Sequence, residues 1–156
     1  MTPAVKQLKS SGIAFTLAEY RHDPRSPAYG EEAARALGLS VDEVFKTLLA
    51  KLDDGRLAVA IVPVSCQLDL KALARAAGAR KARMADADEA QRATGYVVGG
   101  ISPLGQKRRL PTFLDASAES LATLHVSGGR RGLEICLAPD ALLKLTGGCL
   151  APIARG

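Results

Sequence analysis

Tryptophan is missing altogether, and Phe and Tyr occur three times each, so aromatics make up only 4% of the 156 residues. A core must therefore be assembled from Ala, Leu, Val and Ile, and a broad aromatic platform for stacking bases is excluded. Cysteine is scarce and odd in number: Cys66, Cys136 and Cys149 are widely separated, with no CxxC spacing. That pattern excludes a disulfide framework and a zinc-ribbon site. The two histidines, His22 and His125, stand near no other metal ligand in sequence, and no metal or organic cofactor is expected. Both read as surface or partly buried residues rather than as members of a Ser-His-Asp triad. There is no Walker A loop, no GxGxxG, no HExxH and no GxSxG. No apolar run is long enough to cross a bilayer, and Met1 to Lys6 lacks the apolar stretch of a signal peptide. Free thiols without a targeting segment lead to the expectation of a cytoplasmic protein with no membrane partner.

What is present is a globular composition, 47% hydrophobic and 24% charged, at a length that fits one domain over residues 1–156. The net charge is +5 and the sequence pI about 9.3. Such a balance suits a polyanionic partner, although a basic surface equally keeps a protein dispersed.

Punctuation along the chain divides it into short elements. Thr2 and Pro3 predict an N-cap and first helical residue, with Gly12 as the stop. A strand is expected over Ile13–Tyr20, a loop over His22–Pro27, and a helix over Glu31–Leu37 ending at Gly38. Ser40 with Glu43 reads as a capping box, placing a short helix from Val41 to Lys46. Strands over Thr47–Leu52 and Leu57–Val64 flank Asp53-Asp54-Gly55, a hairpin signal. Further helices are expected over Leu68–Ala77 and, from the Asp86/Glu89 pair, through Ala93. Tyr96–Val98 and Thr112–Leu114 read as short strands. A second hairpin joins Leu124–Ser127 to Leu133–Leu137, and Pro139-Asp140 opens a last helix to Leu145. Two tight hairpins among interleaved helices exclude a purely parallel doubly wound sheet. The fold class expected is α/β of the α+β type: a mixed, largely antiparallel sheet, or a partly closed barrel, surrounded by helices.

Three features carry candidate chemistry. Lys46 lies among apolar residues in Val44-Phe45-Lys46-Thr47-Leu48-Leu49, where its ammonium suits an oxygen anion at a pocket edge. Local sequence alone favours the plainer reading, a snorkelling lysine on a solvated face. The run Gly99-Gly100-Ile101-Ser102-Pro103-Leu104-Gly105 lets amide N–H groups converge, as an oxyanion hole requires, or is a plain wide turn. Lys107, Arg108 and Arg109 follow it, and Arg130 and Arg131 sit in the second hairpin turn. Each basic run reads as a solvated face or as a phosphate contact.

Several segments taken together resemble the YbaK family, the Cys-tRNA(Pro) deacylases related to the editing domain inserted in bacterial prolyl-tRNA synthetases. They are MTPAV at the start, EYRHDP at 19–24, VFKTLL at 44–49, PVSCQLDLKALA at 63–74, TGYVVGGISPLGQKRRLPT at 94–112 and VSGGRRGLEICL at 126–137. The resemblance runs nearly from end to end.

What it implies is carried over by position. The indispensable lysine falls on Lys46 and the pocket tyrosine on Tyr20. The glycine whose backbone meets the substrate carbonyl falls on Gly99, with Gly100 beside it, and the pocket serine on Ser127. Glu134 stands where the family usually has aspartate, one methylene longer. Lys107, Arg108, Arg109, Arg130 and Arg131 are the expected tRNA contacts, with DNA not expected as a partner. The implied reaction needs no enzyme nucleophile. The thiol of a misattached cysteine attacks its own ester carbonyl and releases tRNA and a cyclic thiolactone, and the protein supplies position and charge. On this reading Cys66, Cys136 and Cys149 are dispensable. The resemblance also implies association with prolyl-tRNA synthetase. Relatives that remove alanine or serine by attack of water, and a noncatalytic tRNA- or synthetase-binding module, are the alternatives.

Overall fold

A computed structural model describes residues 1–26 and 29–156. In chain order the elements are α1 (Pro3–Ser11), β1 (Thr16–Glu19), α2 (Tyr29–Leu37), β2 (Phe45–Leu52), β3 (Leu57–Pro63), β4 (Gln67–Leu68), α3 (Leu70–Ala76), β5 (Ala82–Met84), α4 (Ala87–Thr94), β6 (Thr112–Asp115), a 3-10 turn (Ala116–Ser120), β7 (Leu124–Ser127), β8 (Leu133–Leu137), α5 (Pro139–Thr146), β9 (Cys149–Ala151) and β10 (Ala154–Arg155).

The strands form a five-stranded sheet in the order β5-β2-β3-β6-β9, a three-stranded sheet β1-β8-β7, and a two-stranded ribbon β10-β4. The large sheet is mixed. Hairpin β2–β3 and the β2–β5 pair are antiparallel, while β3–β6 and β6–β9 are parallel. The three-stranded sheet is antiparallel throughout. The two sheets meet where Val44 bridges His125, with the His125 N–H donating to the Glu43 carbonyl at 2.9 Å. Among the described residues the strands do not close into a barrel.

The central strand β3 is buried at every residue, and its alternation splits the core in two. Leu57, Val59 and Ile61 pack on one face with Leu114, Leu124, Val126, Ile135 and α4. Ala58, Ala60 and Val62 pack on the other with Leu73, Phe113 and Ile153. Period-2 alternation puts apolar side chains on both faces, as a sheet covered on both sides requires. Asp115, buried at the end of β6, accepts from the N–H groups of Ile153 and Ala154 at 3.0 and 2.9 Å and so clasps the C-terminal segment.

Helix α1 has the expected cap: the Thr2 hydroxyl accepts from Val5 N–H, and Gly12 ends the helix at φ 74°. Both hairpins and α5 also lie where the residue pattern places them. Four expectations are corrected. Val41–Lys46 is not a helix; residues 41–43 form a turn in which the Ser40 hydroxyl accepts from Asp42 N–H, and Lys46 already belongs to β2. Ser40 thus serves a local side-chain turn that competes with helix capping. Tyr96–Val98 is a turn rather than a strand, because Gly95 takes φ 82° after α4 and no strand pairs there. The helix expected from Leu68 begins at Leu70. Leu68 pairs with Ala154, and Asp69 caps the helix by accepting from Ala72 N–H. The helix expected from the Asp86/Glu89 pair is present as α4, with Asp86 at the N-cap position but no side-chain cap, and the Glu89 carboxylate pairs with Lys51 across to β2. Strand β1 is shorter than Ile13–Tyr20, because its pairing with β8 runs only over Thr16–Glu19. The loop expected over His22–Pro27 is described through Ser26; Pro27 lies outside the described residues.

Candidate functional site

Strand β5 pairs with β2 only over Ala50–Leu52, and its last link is the Ala85 N–H to the Leu49 carbonyl at 3.0 Å. Beyond that point the edge of β2 is uncovered, and a cavity of about 470 Å³ opens along Val44–Leu49. Its other walls come from the first turn of α2 (Tyr29, Gly30, Glu31), from Met84 to Ala90, from the Val98–Ile101 loop, and from the small sheet with its turn. A volume of this size suits a small organic ligand.

The β2–β3 register decides which backbone groups face the cavity. Hydrogen bonds Leu52 N–H to Arg56 C=O and Val64 N–H to Val44 C=O, both 2.8 Å, make the even-numbered residues of β2 the hydrogen-bonded partners of β3. The N–H and C=O of Thr47 therefore point away from β3, toward the side that β5 has vacated. Lys46, opposite Val62, is half-buried and lines the cavity; among the described residues it makes no ion pair. The Thr47 hydroxyl is buried and unpartnered among the described residues.

The small sheet supplies the opposite end. Tyr20 follows β1, and its N–H donates to the Gly132 carbonyl at 2.9 Å. Burial raises its phenol above the ordinary value, and the carboxyls of Glu134 and Glu32 add to the effect. Ser127 on β7 stands directly opposite Glu134 on β8, with Ala18 of β1 on the other side. The Ser127 hydroxyl accepts from Gly129 N–H at 3.1 Å, which leaves its proton free to donate. Glu134 is only 6% exposed, and its Oε2 has no partner among the described residues. Burial pushes its carboxyl up to about 8. Loss of hydration disfavours the charged form wherever no cation or donor replaces the water.

Gly99 sits in the wall at φ 95°, a conformation that favours glycine. A side chain there would also meet the Tyr29 ring at 2.9 Å. Gly100 does not line the cavity, and its N–H is committed to the Val97 carbonyl at 2.8 Å. Of the two glycines, only Gly99 borders the space. Arg130 and Arg131 also border it: Arg130 pairs with Glu19 at 3.1 Å, and Arg131 donates to the Ser26 carbonyl at 2.8 Å. Lys107, Arg108 and Arg109 lie elsewhere. The N–H groups of Lys107 and Arg108 donate to the Thr94 and Ala93 carbonyls, so this run finishes α4 and brings positive charge to its negative end.

Lys46, Tyr20, Gly99, Ser127, Glu134, Arg130 and Arg131 are thus gathered in one space, while Gly100 and Lys107–Arg109 are not. Neither histidine and none of the three cysteines lines it. Thr47 and Tyr29 border it without having been singled out from sequence. The Thr47 hydroxyl gave no signal, since a lone threonine in a strand reads as a β-former. Among the described residues no three His, Cys, Asp or Glu side chains converge as a metal set, and no helix is long and apolar enough to cross a membrane.

The family model described as the aminoacyl-tRNA editing domain matches residues 24–145. An Enterococcus faecalis protein named "Putative Cys-tRNA(Pro)/Cys-tRNA(Cys) deacylase EbsC" is 41% identical over 123 residues, covering 79% of this chain and 75% of the relative. A proline–tRNA ligase of Shouchella clausii is 33% identical over 120 residues, which is 76% of this chain but 20% of the ligase. A crystal structure of "a putative trans-editing enzyme for prolyl tRNA synthetase" superposes with a TM-score of 0.85 at 27% identity, covering 100% of this chain and 99% of the other.

Proposed function

The chain belongs to the aminoacyl-tRNA editing domain family, and from that premise we propose that it removes cysteine misattached to proline tRNA, with Cys-tRNA(Cys) as a second substrate. The whole chain, residues 1–156, works as one editing domain in the cytoplasm. The observation that carries this reading is the convergence of Lys46, Tyr20, Gly99, Ser127 and Glu134 on one cavity of about 470 Å³. That volume suits the aminoacylated terminal adenosine rather than a folded stem.

In the reaction the thiol sulfur of the bound cysteine attacks its own ester carbonyl. A carbon–sulfur bond forms, the bond to the ribose oxygen breaks, and the thiol proton ends on that oxygen. Holding thiol and carbonyl together supplies a proximity effect that reaches about 7 kcal/mol at the lower end of well-oriented cases. Lys46, an uncompensated cation beside the free edge of β2, anchors the tRNA end and balances charge developing on the carbonyl oxygen. The backbone beside Gly99 approaches that carbonyl because no side chain intervenes. Arg130 and Arg131 meet phosphates at the rim, with Lys107–Arg109 as a more distant contact. The cysteines of the protein, all outside the cavity, are dispensable. Association with prolyl-tRNA synthetase would supply the tRNA selectivity that so small a domain lacks.

The test is release of labelled amino acid from Cys-tRNA(Pro) and Ala-tRNA(Pro) by the wild type and Lys46→Ala. Rapid, Lys46-dependent release from the cysteinyl substrate alone supports the reading. Preference for alanyl-tRNA replaces thiol attack with water attack. Bound tRNA without release of either would make the protein a binding module.

A further inference from the structure

Two side-chain oxygens in the cavity wall, Thr47 Oγ1 and Glu134 Oε2, are buried with no partner among the described residues. They differ in what they can do. A threonine hydroxyl offers hydrogen bonds and does not titrate near neutrality; a carboxyl can carry a proton between reacting atoms. The backbone of Glu134 is fixed by strands on both sides. The residue lies within β8, paired on one side to Ala18 of β1 and on the other to Ser127 of β7, and is 6% exposed.

The charged and titratable groups around it leave its proton uncommitted. From β1, Glu19 is taken by Arg130, and the Tyr20 phenol beyond it is itself kept protonated by burial. On the sheet, His125 and Cys136 face each other as the neighbouring cross-strand pair. From the turn, Arg131 is held by the Ser26 carbonyl and the Tyr29 ring. Across the cavity, Glu31 of α2 and Lys46 of β2 make no ion pair with it. Its raised carboxyl value, about 8, lies close to that of a free thiol at roughly 8.5, where proton exchange between the two is nearly balanced.

We propose that Glu134 is the proton relay of the deacylation: in its ionised form its carboxylate takes the thiol proton as sulfur attacks the ester carbonyl, and the resulting acid returns that proton to the leaving ribose oxygen. That ionised form is the minority at neutral pH. The carbon–sulfur bond forms, the ester carbon–oxygen bond breaks with its electron pair going to the ribose oxygen, and Glu134 ends the cycle unchanged. This rests on the cysteinyl substrate proposed above.

The experiment is single-turnover release from Cys-tRNA(Pro) between pH 6 and 9.5, corrected for uncatalysed release, for wild type, Glu134→Gln and Glu134→Asp. The relay predicts a loss of about 100-fold in Glu134→Gln at pH 7. The deficit should shrink above pH 9, where the substrate thiol ionises unaided, and Glu134→Asp should recover part of the rate. A merely structural role gives a deficit that does not vary with pH, and that outcome overturns the relay, as does a Glu134→Gln rate within about threefold of wild type at pH 7. Thermal melts show whether either variant has unfolded; Glu134→Asp keeps the carboxyl if Glu134→Gln does not fold. A wild type that releases no cysteine overturns the substrate reading itself, which separates the two failures.

Discussion

The Arg131 guanidinium lies 3.8 Å from the centroid of the Tyr29 ring, and the same ring packs against the backbone of Gly99. Three segments far apart in sequence are thus fixed together at the rim: the start of α2, the Gly99 loop and the β7–β8 turn. Because the ring occupies the place of a Gly99 side chain, Gly99→Ala forces Tyr29 outward as well as straining a backbone at φ 95°. The strain costs about 1–2 kcal/mol. Deacylation should fall at least about tenfold, since a displacement of an ångström in a positioning element is enough for losses of up to ~100-fold. Single-turnover rates beside a thermal melt check both.

Glu32 is buried and accepts from Asp23 N–H and His22 Nδ1, each at 2.8 Å. Burial pushes its carboxyl up, but the His22 hydrogen bond, the Asp23 N–H and the charges of His22 and Arg131 together outweigh it and hold the group below its ordinary value. A depressed carboxyl stabilises the fold above the unfolded value of 4.5 and loses that contribution as pH falls through the folded value. Glu32→Gln should therefore cost about 1–3 kcal/mol at pH 7 and less at pH 3, because the wild-type contribution declines as pH falls below 4.5. Urea midpoints at the two pH values measure the difference.

Glu134 has the opposite sign. The folded protein keeps a proton up to about pH 8 that the unfolded chain releases near 4.5, so stability falls as pH rises across that window. Glu134→Gln removes the dependence. Relative to wild type it should gain up to about 5 kcal/mol between pH 4 and pH 9. Equal urea midpoint shifts at both ends would show that burial does not disfavour this carboxylate.

The run Lys107–Arg109 separates tRNA contact from helix support. If its side chains meet phosphates, replacing all three with Ala should flatten the salt dependence of tRNA affinity by about 2–3 in the log–log slope. If the run serves only the end of α4, the melting temperature falls and the slope stays. Titration of labelled tRNA at several salt concentrations gives the answer.

Much of the fold was legible because its punctuation is local. Thr2, Gly12, Asp53-Asp54-Gly55 and Pro139 each fix an element by their own conformational preference. The failures came where one local motif has two outcomes or a residue answers to a distant partner. Ser40 closes a turn at Asp42 instead of capping a helix, and Leu68 leaves the expected helix to pair with Ala154. The short strands β4, β5, β9 and β10 went unread because two or three residues carry no period; they exist through pairing with remote segments. Within the site, Lys46 and Gly99 were candidates from the local residues, Tyr20, Ser127 and Glu134 from resemblance, and the structure adds their common cavity. Tyr29 and Thr47 could be found only in three dimensions.

The outward-facing N–H and C=O of Thr47 have a consequence for how this protein can change. A main-chain group survives any substitution of its side chain except proline, so β2 at Thr47 keeps these groups through replacement of its side chain but not through insertion. One added residue between Thr47 and the Asp53 turn would rotate Lys46 and Thr47 by half a period, exchanging the faces their side chains serve. Drift in residue identity can therefore retune the pocket while the strand holds its place, but a single codon gained or lost there would dismantle it.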